Sequence, residues 1–128
     1  MSIRVVQLGS ARAPGEGLRI GTVRRPPRGV PKSEFARQDF YDVWLPTLSP
    51  SVALLKFALQ ARDERAWRTF LRRFKSEMSR PEPARDLDLL AALSRTTNLS
   101  VGCYCRDEAR CHRSVLRELL KARGADLK

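Results

Sequence analysis

The strongest constraint on the fold is the short apolar run Leu99–Cys103, set between two segments of helical periodicity. A gap-free run of this length suits a buried strand. Upstream, Ala84–Thr96 reads as a helix with Leu87, Leu90, Ala91 and Leu93 turned inward, and Asn98 marks its end. Downstream, Ser114–Arg123 reads as a helix closed by Gly124 in the C′ position. Helix, strand, helix in this order, after shorter strands, implies an α/β fold. The expectation is a short mixed sheet packed with about four helices, its central strand holding Cys103. The chain has 128 residues, enough for one domain and hardly for two, so residues 1–128 are read as a single domain.

The other elements follow from local chemistry. Ile3–Leu8 and Leu18–Val23 read as strands, and the stretch 9–17, with three glycines and a proline, as the turn between them. The three prolines of 24–32 exclude a helix interior. Tyr41–Leu45 is aromatic and β-prone and is ended by Pro46. Ser49-Pro50 has the form of an N-cap and first helical residue, for a helix running to about Ala61. Asp63 caps the next, which extends to about Ser79. Trp67, Phe70, Leu71, Phe74 and Met78 fall on one of its faces, and Arg65, Arg68, Arg72, Arg73 and Lys75 on the rest. Pro81-Glu82-Pro83 is expected to break the chain before the helix at Ala84.

Charge and cysteine usage narrow the partners. The formal net charge is +11, most of it from arginine. Such an excess fits an anionic partner, a phosphate-bearing small molecule or nucleic acid, or else a solvated arginine-rich surface. No lysine-rich tail supports the nucleic-acid reading. No run of about 18 apolar residues is present, so no membrane span is expected. Met1–Leu8 lacks the layout of a signal peptide, so a cytoplasmic location is expected. The three cysteines, Cys103, Cys105 and Cys111, lie within nine positions. A secreted scaffold spreads an even number along the chain; a tight odd cluster points to free thiols, a metal site or a redox pair.

The segment Cys103–Ser114 holds every cysteine and the one histidine, His112, and follows the carboxyl end of a strand, where α/β proteins place ligand sites. Four readings stay open. In the first, the N–H groups at the start of the last helix, with Arg110, Arg113 and Ser114, cradle an anion. Cys105-x4-Arg110 then resembles the loops of rhodaneses and thiol phosphatases, although Asp107 and Glu108 oppose an anion. Cys105 or Cys111 would be the nucleophile if the domain is an enzyme, with His112 as proton partner. In the second, Cys103, Cys105, Cys111 and His112 hold a structural zinc, although adjacent Cys111 and His112 are awkward to turn onto one ion. In the third, Cys105 and Cys111 form a redox pair. In the fourth, the cysteines and His112 are packing residues and the arginines pair with Asp107 and Glu108.

The same segment, with Cys103, Cys105, Cys111, His112 and Arg113 as C-x-C…C-H-R, resembles the YeaO-like family of domains of unknown function. The likeness continues through Leu18-Arg19-Ile20, then Arg24, Pro27, Arg28, Gly29 and Lys32, and through Trp44-Leu45-Pro46, Leu48 and Ser49-Pro50-Ser51. It ends in the helix with Trp67, Phe70, Phe74, Glu77 and Met78. Val23 and Pro26 stand where that family often has aspartate and tryptophan. The resemblance implies a compact α/β domain and no particular reaction or cofactor. It also brings two arginine-bearing loops to attention. Arg19, Arg24, Arg28 and Arg113 are expected to converge on an anionic ligand if the strand ends lie side by side.

Overall fold

The computed structural model describes residues 1–128. Four strands, β1 (Ile3–Gln7), β2 (Leu18–Gly21), β3 (Val43–Trp44) and β4 (Leu99–Cys103), and four helices, α1 (Val52–Gln60), α2 (Glu64–Met78), α3 (Pro81–Leu93) and α4 (Arg113–Ala122), form a small α/β domain. The strand order is β1-β4-β2-β3 and every pairing is parallel. The expected mixed sheet is thus wholly parallel: no tight hairpin turn joins any two strands, and longer connections return the chain in the same direction. No helix is long and apolar enough to cross a membrane.

β4 lies inside the sheet, with Val101 opposite both Val5 of β1 and Ile20 of β2. All five of its residues are buried, as the gap-free run requires. Alternation along the strands sends Ile3, Ile20, Leu99 and Val101 to one face, where the helices cover them. Phe70 and Phe74 of α2, Leu87 and Leu90 of α3, and Leu116 and Leu120 of α4 join these four in one cluster. The 3.6-residue spacing read from α2 is therefore the face it buries.

The opposite face carries Arg19 and Ser100, which are register partners. Arg19 is fully buried and makes four hydrogen bonds. Its Nε and Nη2 donate to the Glu16 carboxylate at 2.7 and 3.0 Å, and Nη1 donates to the carbonyls of Ser10 and Asp39. Ser100 Oγ donates to the same carboxylate at 2.7 Å, and so does the Ala13 amide at 3.1 Å. Arg19 therefore does not join an anion site; its guanidinium is saturated by protein groups. Burial alone would push the Glu16 carboxyl up, but the bonds from Arg19, Ser100 and Ala13 outweigh it and hold it at about 2.

The helix starts differ from expectation in two places. Ser51, not Ser49, caps α1, its Oγ accepting from the Leu54 amide at 3.2 Å. Ser49 precedes a proline and stays extended, so the helix cannot begin there. Pro81 and Pro83 open α3 instead of breaking the chain, because the first turn of a helix has no intrahelical use for their missing N–H groups. Asp63 caps α2 as expected, accepting from the Ala66 amide at 2.7 Å.

The buried Glu16–Arg19 pair gives the first test. Glu16→Gln should lower the unfolding free energy in urea by roughly 3–5 kcal/mol, because a buried guanidinium is left without its counter-charge. Glu16→Leu combined with Arg19→Met should recover most of that loss. Equal losses in the single and double variants would remove the pair from its structural role.

Candidate functional site

Cys103 ends β4 and packs with Leu8, Val23, Tyr41 and Cys111. The chain then passes through exposed Cys105 and a short turn, Glu108–Arg110, in which Asp107 Oδ1 accepts from the Ala109 amide at 3.0 Å. Cys111 is extended (φ −136°, ψ 152°), whereas His112 already has helical angles (φ −59°, ψ −15°) and begins α4. This change of conformation between neighbours swings both side chains to one point. Cys111 Sγ lies 3.7 Å from His112 Nδ1. The donor atoms of Cys103, Cys111 and His112 all lie within 4.8 Å of one another. Cys105 Sγ is 3.8 Å from Cys103 Sγ. The adjacency of Cys111 and His112 is therefore no obstacle to a shared ligand.

The imidazole is fixed from behind. His112 Nε2 lies 2.7 Å from the Thr22 carbonyl oxygen. A carbonyl only accepts, so Nε2 carries a proton, and in the neutral ring the Nδ1 lone pair faces Cys111 Sγ. Thr22 is itself pinned, its amide and Oγ1 both donating to the Gly102 carbonyl at 2.9 Å. The edge of Phe74 packs on the ring at 5.4 Å between centroids.

The sulfurs are not equivalent. The neighbouring Cys103 and Cys105 thiols lower the Cys111 thiol below its usual range, against the effect of burial. Cys103, whose Sγ donates to Cys105 Sγ, is pushed up by its two thiol neighbours and by burial.

The expected anion cradle is not formed. Cys111, His112 and Arg113 are buried, so the positive end of α4 is covered by protein and touches only the edge of an apolar cavity. Cys111 packs in a second apolar cluster with Leu8, Val23, Tyr41 and Cys103. Ser114 Oγ donates back to the Cys111 carbonyl at 3.0 Å. Arg24 donates to the carbonyls of Pro50 and Ser49, each at 3.1 Å. Arg110 pairs with Glu64 and lies over the Trp67 ring. Arg28 is exposed and makes no side-chain hydrogen bond. Arg19, Arg24 and Arg113 are therefore each bound to different protein groups, and Arg28 to none.

Arg113 remains anomalous. It is 3% exposed, and its Nη2 donates to the Cys105 carbonyl at 2.6 Å. Its Nε has no acceptor and it belongs to no ion pair. Glu108, the carboxylate expected to neutralise it, is taken by Arg117 at 2.6 and 2.9 Å.

A cavity of about 450 Å³ opens between α1, α2 and the connection from β4 to α4. Leu55, Leu59, Trp67 and Phe70 form its walls, and Cys105, Cys111 and His112 lie along it. No feature of the sequence pointed to this cavity, because α1 and α2 meet the cysteine segment only through the tertiary fold. A larger cavity, about 580 Å³, lies beside Arg24, Arg80 and Arg85. There the positive end of α1 is already occupied by Glu77, whose Oε1 accepts from the Ser51 amide at 2.9 Å.

Residues 3–124 match the family model described as the active DUF488-N3 subclade. No curated protein and no solved structure matches the chain.

The exposure pattern predicts how the thiols react. In native, metal-stripped protein, iodoacetamide should modify Cys105 readily, and Cys103 and Cys111 only after unfolding, as read by peptide mass spectrometry. Rapid labelling of Cys111 in the native state would show that the start of α4 opens.

Proposed function

The chain belongs to the DUF488 family, and we propose that it holds one zinc ion anchored by Cys103, Cys111 and His112, with Cys105 beside them. The observation that carries this reading is the convergence of their donor atoms within 4.8 Å. A tetrahedral zinc with Zn–S bonds of about 2.3 Å and a Zn–N bond of about 2.1 Å places two sulfurs about 3.8 Å apart, and a sulfur and a nitrogen about 3.6 Å apart. The spacings in the cluster, 3.8 Å for Cys103–Cys105 and 3.7 Å for Cys111–His112, are those of a coordination shell. Thiolate with imidazole in this arrangement favours zinc over the harder cations.

Two further features support it. A metal-binding histidine ordinarily donates its second ring N–H to a carbonyl or carboxylate, and Thr22 supplies that carbonyl. A buried guanidinium without counter-charge is costly, and ligand thiolates beside Arg113 provide negative charge where no carboxylate does. Freshly purified protein should carry about one zinc per chain, and Cys111→Ser and His112→Ala should each lower zinc affinity by roughly a hundredfold or more. Less than about half an equivalent, with no uptake on adding zinc, would sink the proposal.

A specific feature of α2 favours a second reading, a nucleic-acid surface. Its two carboxylates inside the helix point away from the basic face: Glu64 pairs with Arg110 and Glu77 caps α1. Arg65, Arg68 and Arg72 are left exposed, three and four residues apart, in no ion pair. Like charges at this spacing repel, and a polyanion relieves that repulsion. Binding to a fluorescent 20-base RNA or DNA should weaken steeply as salt rises, by about tenfold or more between 50 and 200 mM. A flat titration at low salt removes this reading.

A further inference from the structure

We infer that the fourth position on the metal is exchangeable and faces the cavity between α1 and α2, where it takes a small organic carboxylate with an apolar body. This deepens the zinc reading and rests on it.

The three anchoring donors and Cys105 differ in kind. Cys103, Cys111 and His112 are buried, and each is held by the fold: by β4, by the second apolar cluster and by the Thr22 carbonyl. Cys105 is exposed, lies outside the set of mutually close donors, and stands on the turn after β4. Two sulfurs and one ring nitrogen form the donor set of zinc sites that keep a position open, whereas closed structural sites use four protein ligands. An exposed thiol beside such a centre is a ligand that an incoming donor displaces.

The cavity says what arrives. Its volume, about 450 Å³, lies in the range of small-molecule sites. Its walls are mainly apolar, and Leu59, 83% exposed, is bare apolar surface that a ligand would cover. Arg25 and Lys56 line the same cavity and belong to no ion pair. When Cys105 leaves the metal, its negative charge leaves with it, and these cations favour an anion in its place. An oxygen-donor anion with an apolar body meets all three demands: metal, cations and walls.

The full chain loaded with cobalt(II) in place of zinc tests this, because the visible bands of the ion report changes in its ligands. Titration with 4-phenylbutyrate should shift the bands saturably, at concentrations about tenfold or more below those needed with acetate, since only the former buries a ring against the walls. Leu59→Asp, at an exposed position, should erase that preference while cobalt uptake stays unchanged. Cys105→Ala should still bind one cobalt per chain. Loss of cobalt from Cys105→Ala, or bands that neither carboxylate moves, would overturn the exchangeable position and leave the zinc reading standing. Failure of the wild-type chain to bind cobalt or zinc at all would remove both.

Discussion

The bond from His112 Nε2 to the Thr22 carbonyl joins the start of α4 to the end of β2 across most of the chain length. Several other features depend on it. It sets the tautomer, so that Nδ1 is an acceptor toward the sulfurs. It also fixes the ring against Phe74 and thereby limits where Cys111, one residue earlier, can place its sulfur. Thr22 can hold the ring because two of its own groups are tied to Gly102 in β4. A buried polar group left unpaired costs about 1–3 kcal/mol, so this chain of bonds stabilises the fold and aims the site by the same contacts.

The disposition of charge follows from the same economy of partners. An arginine-rich chain has too few carboxylates to pair every guanidinium, and one of them, Glu16, goes where desolvation is greatest. Glu16 is used inside the protein on Arg19, where burial makes the pair strong and its loss severe. Glu108 is used on Arg117 and Glu77 on the end of α1. The arginines of the outer face of α2 are left to solvent, which tolerates them. Arg113 is the exception, buried without a carboxylate, and the thiols next to it are the groups that can become anions there.

Much of the fold was legible in the sequence, for reasons that are local. The gap-free run Leu99–Cys103 is a fully buried strand, the apolar spacing of Trp67 to Met78 is the buried face of α2, and Asp63 and Gly124 close helices where their chemistry suggests. What was not legible depended on distant partners. Strand direction depended on connections whose paths leave little mark in composition. Arg19 looked like a ligand residue because its partner Glu16, three residues earlier in a glycine-rich turn, gave no sign of folding under the sheet. The cluster was legible in its members but not in its geometry. Cys111 and His112 were expected to diverge as neighbours, and the switch from extended to helical backbone between them is visible only in three dimensions.

The position of the cluster explains why a thiol site and an anion site compete for the same segment. In a parallel sheet the loops after the strand ends face the starts of the following helices, and there backbone N–H groups favour negative charge. A cradle with glycines at its turn leaves those groups open to an external anion. Here the turn carries cysteines and no glycine, and Cys111 and His112 fold inward over the end of the sheet. The side chains at the start of α4 are then Cys111 and His112 themselves. What remains open to solvent is the outer edge of the cluster at Cys105. The apolar walls of the cavity, with Arg25 and Lys56, meet the cluster at that edge.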